Sequence, residues 1–234
     1  VGHGRSHGLE ARRHEALRCG ADLEVPIEII DISVEYQSVV TNPKHGYGSA
    51  MNPCIDCRIF MFRRAKEYMD EVGAQFLYTG EVLGQRPVSQ HRRAMDTIAR
   101  DSGLGEYVVR PLSAKLLPPT APEKLGWLDR EKLGDLNGRS RKGQMEMAQR
   151  FGVTDYPQPA GGCCALIDSN YARKLGDMWE HKGEKTYTVE EATLLKVGRH
   201  FRLSPTVKLI VGRDEGENNF LKRYAEGRAV FHAR

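Results

Sequence analysis

The chain has 234 residues and carries 35 Lys and Arg against 31 Asp and Glu, which gives a formal net charge of +4. With 40% hydrophobic and 28% charged residues, its composition excludes a collagen-like, low-complexity or wholly disordered chain. No apolar run reaches the roughly 20 residues needed to cross a bilayer, and no signal peptide opens the chain. We therefore expect a cytoplasmic protein with no membrane association.

Helices and strands are predicted to alternate over the first 151 residues, from the spacing of apolar residues and from helix start and stop signals. The predicted elements in chain order are a helix at 9–18, a strand at 25–32, a helix at 53–73, a strand at 75–79, a helix at 90–100, a strand at 107–110, and helices at 129–136 and 141–151. Strands separated by helices of this length favour a mainly parallel sheet with sites at the carboxyl ends of its strands.

The pattern changes after Gly161 and Gly162. The predicted elements beyond this point are a helix at 188–196, a strand at 207–211, a helix at 217–226 and a strand at 229–232. They form a small α+β module near the lower size limit for independent stability. We therefore expect two domains, residues 1–170 and residues 171–234.

Five cysteines give the sequence its most specific local signal. Cys54 and Cys57 form a C-x-x-C at the start of a predicted helix, where the helix dipole lowers the pKa of a thiol. Cys163 follows two glycines about a hundred residues later. An odd cysteine count without a secretion signal argues against a disulfide framework and favours metal or redox chemistry.

Three kinds of site are consistent with these thiols. An iron-sulfur cluster could be held by three cysteines, a structural zinc would need a fourth ligand such as His45, and a redox or persulfide pair needs no metal. Cys19 and Cys164 are better explained as small buried apolar residues.

A second polar segment, TGEVLGQRPVSQ at residues 79–90, begins at a predicted strand end. Its hydrogen-bonding residues at a sheet edge predict a nucleotide or substrate site formed by Gly80, Glu81, Gln85 and Arg86. The alternative is an ordinary polar loop before a helix.

A third segment, GRSRKGQ at residues 138–144, is basic. It lies in a region, residues 91–150, that holds 12 Lys and Arg against 8 Asp and Glu. Arg139, Arg141 and Lys142 near a helix start favour contact with a nucleic-acid backbone or a pyrophosphate. A solvated basic helix end is the alternative interpretation.

These segments, taken in order, resemble those of PP-loop ATPase-like proteins related to the tRNA 4-thiouridine synthases and tRNA 2-thiouridylases. The blocks that carry the resemblance span most of residues 40–170 and read NPCIDC, TGEVLGQRPVSQ, RPLSAKLLPPTAPEKLGW, GRSRKGQ and PAGGC. The resemblance implies an α/β fold with a Rossmann-like (HUP-type), mainly parallel sheet and a small α+β C-terminal module. It also implies a tRNA-modifying sulfurtransferase, in which ATP adenylates a uridine carbonyl and a sulfur nucleophile displaces AMP.

The same resemblance implies a 4Fe-4S cluster on Cys54, Cys57 and Cys163, with zinc as the alternative metal. These cysteines would be both metal ligands and catalytic residues, and Arg139, Arg141 and Lys142 would bind RNA. The implied partners are tRNA and a sulfur donor protein or sulfide, and the implied assembly is a homodimer.

One motif of the resembled family, the ATP-binding loop S-G-G-x-D-S, does not occur in the sequence. ATP and magnesium binding would therefore require that loop to be supplied, and the sheet is expected to be incomplete at its N-terminal side. Two alternatives follow: a non-catalytic RNA- or metal-binding remnant of this scaffold, or a sulfurtransferase acting on a small metabolite.

Overall fold

The structure is a computed structural model and describes residues 17–153, 164–224 and 227. The chain divides into two compact units. The central unit comprises residues 38–48 and 52–154, and the terminal unit comprises residues 1–37, 49–51 and 155–234. The predicted division at residue 170 and the predicted Rossmann-like sheet both stay predictions.

The central unit is built from helices around one short pair of strands. Its helices are α1 (Gln37–Thr41), which leads into it, α2 (Cys54–Glu71), α3 (Arg92–Asp101), α4 (Ala121–Lys124) and α5 (Lys142–Arg150). Strand β1 (Leu77–Tyr78) pairs in parallel with β2 (Val108–Val109). Three single-turn 3-10 helices lie in the connections, at Gly105–Tyr107, Ala114–Leu116 and Arg130–Lys132.

The core of this unit forms where α2 and α3 pack on the strands. Ile59 and Phe62 are the buried positions of α2, and Ile98 and Ala99 face them from α3. Val108 of β2 completes the same cluster. Because β1 and β2 pair in parallel, their carboxyl ends lie at the same edge of the unit.

The terminal unit contains a helical segment at residues 17–22 and a second group of elements towards the C-terminus. That group comprises a 3-10 turn (Ala165–Ile167), α6 (Ser169–Lys182), α7 (Val189–Leu194), β3 (Arg199–Ser204), β4 (Val207–Val211) and α8 (Glu215–Lys222). β3 and β4 form an antiparallel hairpin with a register irregularity between Arg202 and Ser204.

Side-chain caps fix where these helices begin. Asp168 accepts the N–H groups of Asn170 and Tyr171 at the start of α6. Thr188 and Glu191 form a reciprocal capping box on α7, and Asp214 caps α8.

Gly198 enters β3 in a conformation that only glycine adopts easily. Its φ is +70°, and a Cβ there would lie 2.6 Å from the Val211 carbonyl oxygen of β4. The absence of a side chain therefore lets the two strands close at this end.

Two sequence-based predictions of secondary structure are wrong. Residues 25–32 form no strand, because the run has no neighbouring strand to pair with among the described residues, and Ile27 and Ile29 remain more than 40% exposed. Residues 129–136 form a single 3-10 turn and then irregular chain, because the segment turns back so that Gly134 donates to the Pro111 carbonyl. The predicted strand at 229–232 lies outside the described residues.

The predicted helices at 53–73, 90–100, 141–151 and 188–196 and the predicted strands at 75–79, 107–110 and 207–211 are confirmed in type and approximate position. Across the ranges that the structure describes, no helix combines the length and apolar character needed to span a membrane.

Candidate functional site

The β3–β4 hairpin has two chemically different faces. Residues directly opposite each other in an antiparallel pair share a face, so Arg199 lies with Val211 and Phe201 lies with Leu209. Arg202 and its partner Lys208 lie on the opposite face, which points towards α6 and which we call the inner face. We call the face that carries Arg199 and Phe201 the outer face.

The outer face is exposed and carries an aromatic ring. Phe201 is 47% exposed, and Val211, which pairs with Arg199, is 42% exposed. Leu203, next to the register irregularity, is 63% exposed. Arg199 is also exposed. A solvent-exposed phenylalanine beside an arginine on a sheet surface is an arrangement that can stack a planar group and pair with an anion.

Two basic side chains of the inner face share one carboxylate of α6. Asp177 accepts two hydrogen bonds from Arg202, at 3.1 and 2.7 Å, and one from Lys208 at 2.7 Å. These bonds, with that from Arg202 contributing most, hold the pKa of Asp177 well below its usual value. Both basic side chains are therefore committed to holding the hairpin on α6.

The end of the hairpin is fixed by a second ion pair. Glu217 of α8 pairs with Arg213 and also accepts the N–H of Gly198 at 3.2 Å. The hydrogen bonds from Arg213 lower the pKa of Glu217 to about 2. The carboxylate therefore stays ionised and ties α8 to the start of β3.

Burial also shifts two basic groups behind the hairpin. Lys174 of α6 donates to the carbonyls of Leu195 and Gly198, and burial lowers its pKa. His200 Nε2 lies 2.9 Å from the Val197 carbonyl oxygen, and burial lowers the pKa of His200 to about 4. His200 is therefore neutral at pH 7 and donates one hydrogen bond.

This shift predicts that the terminal unit loses stability on mild acidification. The pKa of His200 is about 4 in the folded state and near 6.5 in the unfolded state, so the folded state binds the proton less tightly. The contribution of neutral His200 to the free energy of unfolding is therefore complete above pH 6.5 and is lost as the pH falls towards 4. Urea unfolding followed by Trp179 fluorescence, in a Trp127→Phe background, should show a falling midpoint from pH 6.5 to 4.5. The measurement stops at pH 4.5 so that Asp177 and Glu217, whose pKa values are lowered, stay ionised throughout.

The control for this effect is His200→Gln, which removes the titrating ring. Its unfolding midpoint should change less with pH over the same range, and an equal slope in both proteins would contradict the assignment to His200.

The structure describes two of the three predicted metal ligands. Cys54 and Cys57 lie in the first turn of α2, and Cys57 Sγ is 3.9 Å from Met61 Sδ. Cys163 lies outside the described residues. Within the described ranges, no group of three or more His, Cys, Asp or Glu is placed to hold a metal ion. The cluster and its zinc alternative stay predictions.

The histidine proposed as a zinc ligand is engaged elsewhere. His45 Nδ1 lies 3.0 Å from Asp56 Oδ1, and its Nε2 lies 3.3 Å from Asp101 Oδ2. Arg63 donates to the main-chain oxygen of Asp101 beside a cavity of about 300 Å³. Since both ring nitrogens face carboxylates, His45 connects its loop to α2 and α3.

The predicted nucleotide or substrate loop lies where the sequence places it, directly after β1. Glu81 is 3% exposed and pairs through Oε2 with Arg110 Nε, 3.0 Å away, at the end of β2. Gly80, Gln85 and Arg86 belong to the same loop. A role for these residues in ligand binding stays a prediction.

The structure brings this loop next to the predicted basic segment. Gly138 N–H donates to the Leu83 carbonyl at 2.7 Å, and Gln85 Nε2 donates to Gln144 Oε1 at 2.7 Å. Arg139 and Lys142 beside this contact are exposed, and Arg141 is half-buried. The two segments therefore form one surface, although they are separated by about fifty residues in the chain.

Comparison with known proteins gives one match. Residues 198–234 match a protein-family model described as the NFACT protein RNA binding domain. The matched segment includes β3, β4 and α8. No curated protein and no solved structure matches the chain.

This result corrects the main interpretation of the sequence. The comparison with family models finds neither a PP-loop ATPase nor a thiouridine synthase family, so the predicted membership is wrong and the tRNA-modifying sulfurtransferase function is wrong with it. The blocks behind the resemblance are short segments, each of which contains glycine or proline. Short segments of this kind occur at strand ends and helix starts of unrelated folds, so they do not specify a function.

The matched segment carries a signal that the sequence analysis missed. Residues 198–234 hold eight Lys and Arg against four Asp and Glu, a surplus of four within a short segment. The predicted basic region, residues 91–150, holds the same surplus over many more residues. Charge density, rather than charge excess, would have pointed to the C-terminal segment.

Proposed function

We propose that this chain binds RNA through the outer face of the β3–β4 hairpin. The observation that carries the proposal is the match of residues 198–234 to an RNA-binding domain model, because the outer face lies within that segment. The arrangement of Phe201 and Arg199 supplies a chemical basis for it.

Phe201 supports binding to unpaired bases. Every base has a flat π-face, and stacking on an exposed aromatic ring contributes about 1–3 kcal/mol per base without demanding a sequence. A base in a duplex is already stacked and cannot insert against the ring. We therefore propose single-stranded RNA, including the loops and ends of a folded RNA such as tRNA, as the ligand.

Arg199 supports contact with the phosphate backbone. Two arginines close to Arg199 in the sequence are already paired: Arg202 of β3 with Asp177, and Arg213, just after β4, with Glu217. No acidic side chain of the described residues forms an ion pair with Arg199. Its guanidinium therefore faces solvent on the side where the Phe201 ring is exposed.

The proposal predicts that RNA affinity depends on salt and on Arg199. Fluorescence anisotropy of a labelled single-stranded RNA of about 12 nucleotides should show affinity falling linearly on a log–log plot as salt is raised. Arg199→Gln should weaken binding and reduce the magnitude of that slope by about 0.7, the value expected for one phosphate contact on a single strand.

Arg173→Gln is the matched control, because Arg173 is an exposed arginine of α6 that bonds Asn170 and lies away from the outer face. It should leave the slope unchanged. Absence of binding to single-stranded RNA at low salt would contradict the proposed function, as would equal effects of the two substitutions.

A further inference from the structure

The central unit contains a cavity of about 300 Å³. Its lining residues come from α1, the loop at residues 42–45, α2 and the last residue of α3, and not from the loop at residues 79–90. All of them belong to the central unit, so one compact unit builds the whole cavity. Its volume is at the lower end of the range for small-molecule sites, about 300–1,000 Å³.

Three of the lining residues are apolar. Val39 of α1 and Ile59 of α2 are buried, and Phe60 of α2 is half-buried. An aromatic and two branched aliphatic residues favour a flat, apolar body in the ligand.

Arg63 supplies a pair of hydrogen-bond donors to the same cavity. Its Nε and Nη2 groups both donate to the main-chain oxygen of Asp101, at 3.2 and 2.7 Å, which uses one edge of the planar guanidinium and fixes its orientation. No acceptor among the described residues bonds Nη1. The second edge, formed by Nη1 and Nη2, therefore keeps two parallel N–H donors, the arrangement that matches the two oxygens of a carboxylate.

The two carboxylates that line the cavity are already engaged. Asp56 Oδ2 accepts the main-chain N–H of His45 at 2.8 Å, and Asp56 Oδ1 lies 3.0 Å from His45 Nδ1. Asp101 Oδ1 accepts from Arg100 at 2.8 Å, and Lys44 Nζ lies 3.3 Å from Asp101 Oδ2. A cationic ligand would have to compete with the bonds that connect this loop to α2 and α3.

The charges around the cavity favour an anion with a single charge. Lys44, Arg63 and Arg100 face Asp56 and Asp101, which leaves a surplus of one positive charge. Lys44 is the most accessible of these groups, since its side chain is 77% exposed, and it attracts an anion from solvent.

We propose that this cavity binds a small monocarboxylate with a flat apolar body. The carboxylate accepts from the second edge of Arg63, and the apolar body packs against Ile59 and Phe60. This site is independent of the RNA contact proposed for the β3–β4 hairpin.

Isothermal titration of the full chain with benzoate, in a buffer free of other carboxylates and of phosphate, tests the site. Benzoate should bind about tenfold or more tightly than benzamide, which has the same shape and no charge, because hydrogen bonds to a charged acceptor are about twice as strong. Benzylamine, a cation with the same ring, should not bind. Absence of benzoate binding at millimolar concentration would contradict the proposal.

Inorganic phosphate tests the apolar part of the site. It offers oxygens to Arg63 but has no body to pack against Ile59 and Phe60, so it should bind more weakly than benzoate. Equal binding of phosphate and benzoate would overturn the proposed ligand class.

Arg63→Gln removes the donor edge and should weaken benzoate binding about tenfold or more. Arg64→Gln is the matched control, because Arg64 is the neighbouring arginine of α2, pairs with Glu67 and does not line the cavity. It should leave the affinity unchanged. Equal losses in the two variants would show that net charge, rather than the cavity, holds the ligand.

Thr41→Phe separates ligand binding from stability. Arg63 also bonds the end of α3, whereas Thr41→Phe leaves that bond intact and places a larger side chain at a residue that lines the cavity. It should abolish benzoate binding, while the thermal unfolding midpoint of the free protein changes little. Full benzoate affinity in Thr41→Phe would overturn binding in this cavity. Phe201→Ala keeps the two proposals distinguishable, since it should impair RNA binding and leave benzoate binding unaffected.

Discussion

Phe201→Ala is expected to weaken binding of single-stranded RNA by roughly fivefold to a hundredfold, because it removes a stacking surface worth about 1–3 kcal/mol. The ring is 47% exposed on the outer face, so its loss should change the stability of the hairpin little. Fluorescence anisotropy at fixed salt measures the affinity, and urea unfolding measures the stability of the same preparation.

Two further variants define the cause of the loss. Phe201→Trp keeps a flat aromatic surface and should retain the affinity or increase it. Phe151→Ala removes a phenylalanine of the central unit that is 69% exposed, and it should leave the affinity unchanged. An equal loss in Phe151→Ala and Phe201→Ala would show that general exposure of apolar surface, rather than the outer face, accounts for binding.

Asp177→Asn is expected to lower the free energy of unfolding of the terminal unit by about 2 kcal/mol, the magnitude of hydrogen bonds to charged groups. The substitution leaves Arg202 and Lys208 facing each other on the inner face with no carboxylate between them. RNA binding should fall as well, since the hairpin that presents Phe201 is held on α6 by these bonds. Trp179 fluorescence during urea unfolding, in a Trp127→Phe background, reports the change.

Asp96→Asn is the control for a general effect of removing a charge. Asp96 forms an exposed helical pair with Arg92, and its side chain is 61% exposed, so its loss should cost less than about 0.5 kcal/mol. A comparable cost for both substitutions would mean that Asp177 does not organise the hairpin.

Elements with a strong local pattern could be predicted from the sequence. The apolar run at 207–211 coincides with β4, and the periodic stripe that includes Ile59 and Phe62 is the buried face of α2. In both cases burial of one apolar set is enough to determine the structure.

β3 could not be predicted in the same way. Its alternate positions hold Arg202 and Phe201 on opposite faces, so the Arg202 side chain faces α6 and the aromatic ring faces solvent. That inverts the usual alternation of apolar-in and polar-out residues. Asp177, about 25 residues earlier in the chain, makes the inversion stable, and only the folded structure shows that contact.

The candidate site in the central unit was predictable in part. The end of β1 and the polar character of residues 79–90 indicated Glu81, but the contact of this loop with the basic segment depends on the turn around Gly138. The burial of Asn52 and Gln90 could not be predicted, because sequence patterns do not determine burial for polar residues.

Ultraviolet cross-linking of single-stranded RNA to the full chain, followed by identification of the cross-linked peptide, tests the proposed RNA contact most directly. The expected cross-link lies in the peptide that contains Phe201 of β3, and it should disappear in Phe201→Ala. Cross-links confined to residues 38–153 would contradict RNA binding by the β3–β4 hairpin.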